Sequence, residues 1–251
     1  MKNIAKQILS LIDLTTLNDN DTEQSIINIT NKAKTSFGNV PAICIYSRFI
    51  TQAKNLLKNT EIKIATVTNF PHGSTDLELA LYETSLAINR GADEIDIVFP
   101  YHALKQGNTA IGAKMIKEAK YICANKTLKV IIESGELNDP TLIQLASEIS
   151  INNGADFIKT STGKVKTNAT LEAAKIMLNT IKHSGKKCGF KAAGGIKTVV
   201  DAQQYLNLAE SIMGANWINA NNFRFGASGL LNDVLAILED VSPITQQDIN
   251  Y

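Results

Sequence analysis

The chain has 251 residues, of which 44% are hydrophobic and 20% are charged, and its formal net charge is +1. A chain of this length and composition is typical of a globular protein with room for a large core. Because so small a net charge gives little attraction to phosphate backbones or to anionic lipid, we expect neither a nucleic-acid partner nor a membrane partner.

The N-terminal segment and the cysteines indicate the cellular compartment. The segment MKNIAKQILSLIDLTTL has polar residues spaced as in an amphipathic helix, and it lacks the unbroken apolar stretch and cleavage site of a signal peptide. Cys44, Cys123 and Cys188 form no CxxC pair, so neither a disulfide framework nor a zinc site is predicted. We therefore expect the protein to lie in the reducing cytoplasm.

Short apolar runs typical of buried strands alternate with longer stretches of helical period. Eight such strands predict a parallel sheet, and at this length the favoured α/β arrangement is a closed (β/α)8 barrel, the TIM barrel, in a single domain over residues 1–251. An open doubly wound sheet is the alternative, but no G-x-G-x-x-G turn opens the first unit. The predicted strands are VPAICIY, IKIATVT, DEIDIVF, LKVIIES, ADFIKT, KCGFKA, ANWINA and FRFGAS.

The C-terminal segment EDVSPITQQDINY follows the last helical stretch. Pro243 and a weakly periodic polar run cannot continue that helix, so we expect residues 240–251 to form a mobile tail. The tail ends on Tyr251, whose hydroxyl group is chemically suited to proton transfer.

Polar residues stand at the predicted carboxyl ends of several strands, which is where parallel barrels carry out chemistry. Residues two apart in a strand share a face, so Lys159 points to the same side as Phe157, and Lys191 to the same side as Gly189. The two lysines would be neighbours on adjacent strands, where each ammonium favours the neutral form of the other. A neutral amine is a nucleophile, so we expect Lys159 to be buried in order to react. The polar strand-end residues are Asn69, Asp96, Glu133, Lys159, Lys191 and Ser228.

Simpler interpretations apply to several residues. A single lysine at a strand end is most often a rim residue whose ammonium reaches solvent, so the prediction depends on Asp96, Lys159 and Lys191 occurring together. Lys63 and Lys129 open their strands, which predicts that they lie on the opposite, stabilising face of the barrel. The segment TSTGK lacks the spacing of a phosphate-binding P-loop, so no nucleotide site is expected.

Eight blocks carry a family resemblance: LIDLTTLND, AICIY, IATVTNFPHG, GADEIDIVFPY, KVIIESGEL, GADFIKTSTGK, GFKAAGG and FRFGAS. In this order, from about Leu11 to about Ser228, they resemble deoxyribose-phosphate aldolase, a family of class I aldolases. The resemblance implies a (β/α)8 barrel and a Schiff-base mechanism that uses neither a metal nor another cofactor.

Carried over position by position, the resemblance implies that Lys159 forms the Schiff base, Lys191 keeps it neutral, and Asp96 is the acid/base carboxylate. The implied reaction is the reversible cleavage of 2-deoxy-D-ribose 5-phosphate to D-glyceraldehyde 3-phosphate and acetaldehyde, in deoxyribonucleoside catabolism. The implied partners are therefore small sugar phosphates and aldehydes. A homodimer is the default assembly for barrel aldolases of this kind.

For the substrate phosphate, the loops after the late strands offer backbone N–H groups and one cation. Asp13 and Thr15, in DLTTL, resemble family positions that hold the sugar hydroxyls or order the site. The predicted phosphate-binding residues are Gly163, Lys164, Gly194, Gly195, Ser228 and Gly229.

Two positions depart from the family pattern, and the C-terminus follows it. The family usually reads Lys-Pro-Ala-Gly-Gly where this chain has Ala192, which implies a less rigid turn behind Lys191. It usually reads Gly-Ala-Ser-Ser where this chain has Gly229, which removes a hydroxyl that could contact the phosphate. Members commonly end in a tyrosine, which implies that Tyr251 closes over the barrel mouth and helps move a proton at the enamine carbon.

Two other functions remain open at this point. One is a Schiff-base aldolase for another sugar phosphate, which cleavage assays would separate. The other is a catalytically silent barrel that binds sugar phosphates, against which the intact Asp96, Lys159 and Lys191 argue.

Overall fold

The computed structural model describes residues 1–240, and eight parallel strands within them close into a barrel. Each strand pairs with its neighbours in chain order, and the last strand pairs with the first. The predicted (β/α)8 barrel is therefore confirmed. The barrel strands are β1 (Ile12–Thr15), β2 (Ala42–Ile45), β3 (Lys63–Thr68), β4 (Glu94–Val98), β5 (Thr127–Ile131), β6 (Phe157–Lys159), β7 (Gly189–Ala193) and β8 (Phe223–Ala227).

Helices connect the strands, and several begin at a side chain that accepts a hydrogen bond from the first turn. Asp76, Asp139, Thr170 and Thr198 each cap a helix in this way, which satisfies N–H groups that have no partner inside the helix. No helix within residues 1–240 is both long and apolar enough to cross a bilayer. The helices are α1 (Lys2–Leu9), α2 (Glu23–Lys32), α3 (Ile50–Leu57), α4 (Leu77–Asn89), α5 (Tyr101–Lys105), α6 (Ala110–Cys123), α7 (Ser134–Leu137), α8 (Pro140–Asn152), α9 (Leu171–Ser184), α10 (Val199–Met213) and α11 (Leu230–Leu238).

The apolar core lies between the strands and the surrounding helices. In β8, Phe223 and Phe225 are fully buried with ring centroids 4.9 Å apart, and Phe190 of β7 packs against Phe223 at 5.6 Å. Burial of each such ring contributes about 1.5–3 kcal/mol. Because side chains alternate along a strand, Arg224 between the two phenylalanines faces the barrel interior.

The first strand of the barrel lies inside the segment that the sequence predicts to be helical. Helix α1 ends at Leu9, and β1 begins three residues later. Ile12, Asp13 and Leu14 are all buried, because a barrel strand is covered on both faces. The alternation of apolar and polar residues in IDLT was a signal that could have identified this strand.

The segment ANWINA, predicted as a strand, is not one. Its first residues form a short 3-10 helix, Ala215–Trp217, and the side-chain amides of Asn219 and Asn222 donate to the Trp217 carbonyl over 3.2 Å and 3.0 Å. Asparagine side chains that satisfy backbone groups locally favour turns over strands. Because β1 is an additional first strand, Asp96, Lys159 and Lys191 lie on the fourth, sixth and seventh strands of the barrel, not on the third, fifth and sixth of the predicted strands.

Candidate active site

Strand register brings the two predicted lysines side by side. Lys159, the last residue of β6, is paired in register with Lys191 of β7. Lys159 is 3% exposed and Lys191 is fully buried, as is Asp96 of β4. The structure thus brings these three side chains together inside the barrel, while their catalytic roles stay predictions.

The Asp96 carboxylate joins the two lysines. Lys159 Nζ donates to Asp96 Oδ2 over 2.9 Å, and Lys191 Nζ donates to the same oxygen over 2.8 Å. The other oxygen, Oδ1, accepts a hydrogen bond from Lys129 Nζ at 2.8 Å. Burial alone would raise the pKa of Asp96, but the three ammonium groups, with Lys129 foremost, hold it well below its usual value. Asp96 is therefore an ionised carboxylate that can accept a proton.

Asp13 joins Lys191 to Arg224. Lys191 Nζ donates to Asp13 Oδ2 and Arg224 Nη1 donates to Asp13 Oδ1, each over 2.5 Å. Burial would raise the pKa of Asp13, but these cations together with Lys129 lower it below its usual value. Of the two roles that the resemblance implies for Asp13, its complete burial and its ion pairs favour ordering of the site over contact with sugar hydroxyls.

Three ionisable residues complete this network, and sequence analysis did not select them as site residues. Lys129 Nζ donates to Glu94 Oε2 over 2.5 Å, and Arg224 Nη2 donates to Glu94 Oε1 over 3.2 Å. The prediction that Lys129 lies on the face away from the chemistry is wrong, because its fully buried side chain reaches the Asp96 carboxylate. The alternation in FRF was a signal that could have identified Arg224.

The expectation that each lysine favours the neutral form of the other is wrong for Lys191. Burial would lower its pKa, but the carboxylates of Asp13 and Asp96 raise it above its usual value. The pKa of Lys129 is likewise raised, because Asp96, Glu94 and Asp13 outweigh its burial. Lys191 and Lys129 therefore stay protonated, and each ammonium group lies between carboxylates.

A cavity of ≈ 460 Å³ opens above the network at the carboxyl ends of the strands. Lys159 lines this cavity, whereas Asp13, Asp96 and Lys191 lie beneath it. Of the cations within residues 1–240, Lys164 and Lys197 also line it, and sequence analysis did not select Lys197. The predicted substrate-binding residues in its lining are Thr15, Gly163, Lys164, Gly194, Gly195, Ser228 and Gly229.

Glycine-rich backbone forms one side of the cavity. Gly163, Gly194 and Gly195 have φ angles of +84°, +83° and +85°, a region that other residues rarely adopt. A Cβ atom at Gly194 would also lie 2.7 Å from the Asn168 side chain, so only glycine fits there. Glycine in these loops lets the backbone approach a ligand closely.

The same part of the rim holds a helix N-terminus and an anchored lysine. Helix α11 begins after Gly229, which provides no side-chain cap, so its first N–H groups are available to an anion. Lys164 Nζ donates to the Leu17 carbonyl over 2.6 Å, which ties the loop after β6 to the loop after β1. Both features place positive charge at the mouth of the barrel.

The two departures from the family pattern have different outcomes. Ala192 lies within β7 and is fully buried, so it is part of the strand and not of the turn, contrary to the expected loss of rigidity in that turn. Gly229 is exposed, with a φ of −94°, and a Cβ there would meet no heavy atom within 4 Å. A serine would therefore fit at this position without strain.

Other polar residues near the strand ends support the loops. Thr162 N donates to both oxygens of the buried Glu133 carboxyl, at 3.2 Å and 3.3 Å, and burial raises the pKa of Glu133. The Asn69 amide donates to the Ser74 carbonyl over 3.0 Å and the Val98 carbonyl over 2.9 Å. The Thr15 hydroxyl donates to the Asp13 carbonyl over 2.9 Å.

The predicted tail beyond residue 240, including Tyr251, lies outside the described residues. In the described part of the chain, no group of three or more His, Cys, Asp or Glu side chains is placed to hold a metal ion. Cys44, Cys123 and Cys188 are buried free thiols, and burial raises the pKa of Cys123 and Cys188 to about 12.

Fold and site together define a (β/α)8 barrel protein with a buried amine at the base of a cavity. The model of the DeoC/LacD aldolase family matches residues 7–235. The chain therefore belongs to the DeoC/LacD family of aldolases.

Solved structures with the same fold include three named for deoxyribose-phosphate aldolase. One from Toxoplasma gondii ME49, whose name reads "putative deoxyribose-phosphate aldolase", is 22% identical, with a TM-score of 0.87 and 97% of each chain covered. One of the same description from Coccidioides immitis is 25% identical, with a TM-score of 0.82, covering 92% of this chain and 87% of that one. The tetrameric deoxyribose phosphate aldolase from Aeropyrum pernix is 23% identical, with a TM-score of 0.75, covering 96% and 93%.

Proposed function

We propose that this aldolase reversibly cleaves 2-deoxy-D-ribose 5-phosphate to D-glyceraldehyde 3-phosphate and acetaldehyde through a Schiff base on Lys159. The observation that carries the proposal is the position of Lys159 Nζ, at the base of the cavity and 2.9 Å from an ionised carboxylate. The sequence blocks that resemble deoxyribose-phosphate aldolase and the names of the structural relatives support the choice of substrate.

Charge counting identifies which amine is best able to lose its proton. Lys129, Lys191 and Arg224 each contact two carboxylates. Lys159 contacts only Asp96 among the carboxylates of residues 1–240. When Lys159 is neutral, three cations face the three carboxylates of Asp13, Glu94 and Asp96. Because unbalanced charge is expensive in a buried site, the neutral amine is best accommodated at Lys159.

The proposed reaction begins when the neutral Lys159 amine attacks the aldehyde carbon of the open-chain substrate. Asp96 passes the proton that the nitrogen loses to the alkoxide oxygen, which gives the carbinolamine. One further proton, taken up from solvent through Asp96, lets the hydroxyl group leave as water and gives a protonated imine. Lys191, as an ammonium, stabilises the negative charge on Asp96 and donates hydrogen bonds during these transfers.

The imine then draws electrons from the bond between C2 and C3 of the sugar. The C3 hydroxyl loses its proton to Asp96, directly or through one water, and D-glyceraldehyde 3-phosphate leaves. The enamine that remains on Lys159 is protonated on carbon and hydrolysed to acetaldehyde. Tyr251 is our proposed proton carrier for this last step.

The phosphate group would bind at the mouth of the cavity. The loops that contain Gly163, Gly194 and Gly195, the N-terminus of α11 after Ser228, and the Lys164 ammonium supply hydrogen-bond donors and positive charge there. Thr15 lines the same cavity and is proposed to contact a sugar hydroxyl.

We further propose that residues 1–251 form one domain, that the enzyme acts in the cytoplasm without metal or cofactor, and that it is a homodimer. A structural relative is described as a tetramer, so light scattering on the purified protein is the test of assembly. Activity that survives a chelator tests metal independence.

Borohydride reduction in the presence of acetaldehyde tests the Schiff base, because it fixes the imine to the nitrogen that formed it. Peptide mapping is expected to find the label on Lys159. Lys164→Ala serves as a matched control, because it removes a cation from the same cavity and leaves trapping intact. A label on Lys191, or no label, would contradict the assignment, and cleavage of only a longer sugar phosphate would favour the alternative substrate.

A further inference from the structure

The Asp96 carboxylate is held from two sides. Its Oδ2 atom faces the chemistry and accepts from Lys159 and Lys191, over 2.9 Å and 2.8 Å. Its Oδ1 atom faces the opposite way and, among residues 1–240, accepts a hydrogen bond only from Lys129, over 2.8 Å. A carboxylate bound at both oxygens cannot rotate freely, so Lys129 helps to fix the orientation of the carboxylate group toward the reacting amine.

Lys129 is itself fixed and is out of reach of the substrate. It is fully buried, does not line the cavity, and is paired in register with Asp96 on the neighbouring strand. Its Nζ atom lies 2.5 Å from Glu94 Oε2 and 3.7 Å from Asp13 Oδ2. Arg224 in turn binds the other oxygens of Glu94 and Asp13, which holds these carboxylates in place around Lys129.

We propose that Lys129 is a positioning residue for the aldolase reaction, which fixes the Asp96 carboxylate with Oδ2 toward Lys159 through its hydrogen bond to Oδ1. This inference rests on the proposed function. It assigns a role in turnover to a residue that never touches the substrate.

The charged and titratable groups that face Asp96 come from nearly every strand. Strand β3 contributes the apolar Ala65 and Val67 to this region. Of the groups that lower the pKa of Asp96, Lys129 is the largest. Its loss would therefore raise that pKa, although two ammonium groups would remain. The groups concerned are Asp13 of β1, Cys44 of β2, Glu94 of β4, Lys129 of β5, Lys159 of β6, Lys191 of β7 and Arg224 of β8.

The test compares Lys129→Met/Glu94→Gln with Glu94→Gln alone. The double variant removes one buried charge of each sign, so the charge balance of the network is kept, and the two proteins differ only at Lys129. Methionine has nearly the length of lysine and fills the same space. We measure kcat and KM for 2-deoxy-D-ribose 5-phosphate across pH, with circular dichroism as the check on folding.

Relative to Glu94→Gln, the double variant is expected to have a kcat lower on the order of tenfold, with KM changed by less than about twofold. Activity requires ionised Asp96, so a pKa raised by the loss of one close opposite charge moves the acid limb of the kcat profile to higher pH. A merely structural role would leave that limb in place. An unchanged kcat, or a lower kcat with an unmoved acid limb, would overturn the proposal.

Two further measurements cover the remaining outcomes. If the double variant does not fold, Lys129→Gln in the Glu94→Gln background repeats the comparison with a neutral side chain that can still donate one hydrogen bond. If the unsubstituted protein neither traps acetaldehyde nor cleaves the substrate, the proposed function fails. The ionisation of Asp96 is then followed directly by its carboxylate ¹³C chemical shift, and equal midpoints with and without Lys129 would overturn the inference independently of turnover.

Discussion

The interior of the barrel and its mouth hold charge in different ways. In the interior, seven ionisable side chains are at most 6% exposed, and each carboxylate oxygen of Asp13, Glu94 and Asp96 contacts a cation. At the mouth, glycine backbone, a helix N-terminus and exposed lysines face solvent.

This difference predicts where substitutions act. Removal of one partner from a buried ion pair leaves an uncompensated charge and costs about 3–5 kcal/mol. An exposed group at the mouth is screened by water, and its single hydrogen bonds contribute about 1 kcal/mol. Interior changes that leave a charge uncompensated should therefore affect stability as well as turnover strongly, whereas changes at the mouth should affect mainly the binding of the phosphate.

The largest expected effect is that of Lys159→Ala. We expect kcat to fall on the order of four decades or more, because a covalent catalyst is lost. Asp96 keeps Lys129 and Lys191 as partners, so thermal unfolding should change little. Steady-state cleavage assays check this, with Lys164→Ala, a variant at the mouth of the barrel, as the control. If Lys159→Ala kept activity near that of the control, another amine would carry the reaction.

Asp96→Asn tests the centre of the network while keeping the shape of the side chain. We expect kcat to fall by about 10²–10⁴, because the proton acceptor is lost. Lys129 and Lys191 lose a shared counter-charge, so the free energy of unfolding should also fall by about 3–5 kcal/mol. Borohydride trapping should persist at a slower rate. Full turnover in this variant would remove Asp96 from the mechanism.

The pH dependence of the free energy of unfolding in acid depends on the interior carboxylates. The pKa values of Asp13 and Asp96 are lowered in the folded protein, so the stability that they contribute is fully present above the ordinary aspartate pKa of about 3.9. It is lost as the pH falls from there through the folded pKa values. We measure the free energy of unfolding with denaturant between about pH 2 and 4. In Asp13→Asn it should rise with pH less steeply than in the unsubstituted protein, by up to about 1.4 kcal/mol per pH unit. An identical slope would contradict the ion pairs of Asp13.

The smallest effect is expected at the mouth, for Gly229→Ser. The position has room for a side chain, and one added hydrogen bond to the phosphate should tighten binding by about 1 kcal/mol. The opposite change, Ser228→Ala, should raise KM for 2-deoxy-D-ribose 5-phosphate. Neither variant should alter KM for unphosphorylated deoxyribose, and equal effects on both substrates would place these residues away from the phosphate.

Much of the fold and part of the site follow from the sequence. Alternating apolar runs and helical stretches predict the barrel, and the alternation within FIK places Lys159 on one face of a strand end. Glycines after the late strands predict the loops of the cavity. These features depend on residues close together in the chain, so local periodicity is enough to find them.

The remaining features depend on contacts between residues that are far apart in the sequence. Strand β1 is only four residues long and lies inside a segment that the sequence predicts to be helical. It carries Asp13, which lies 178 residues from the lysine that it binds. That contact keeps Lys191 charged, contrary to the expectation from the two lysines alone. Lys129 reaches Asp96 because the pairing of β4 with β5 sets the two residues in register. Charge states follow from distances of a few ångströms between groups, and only the closed barrel sets those distances.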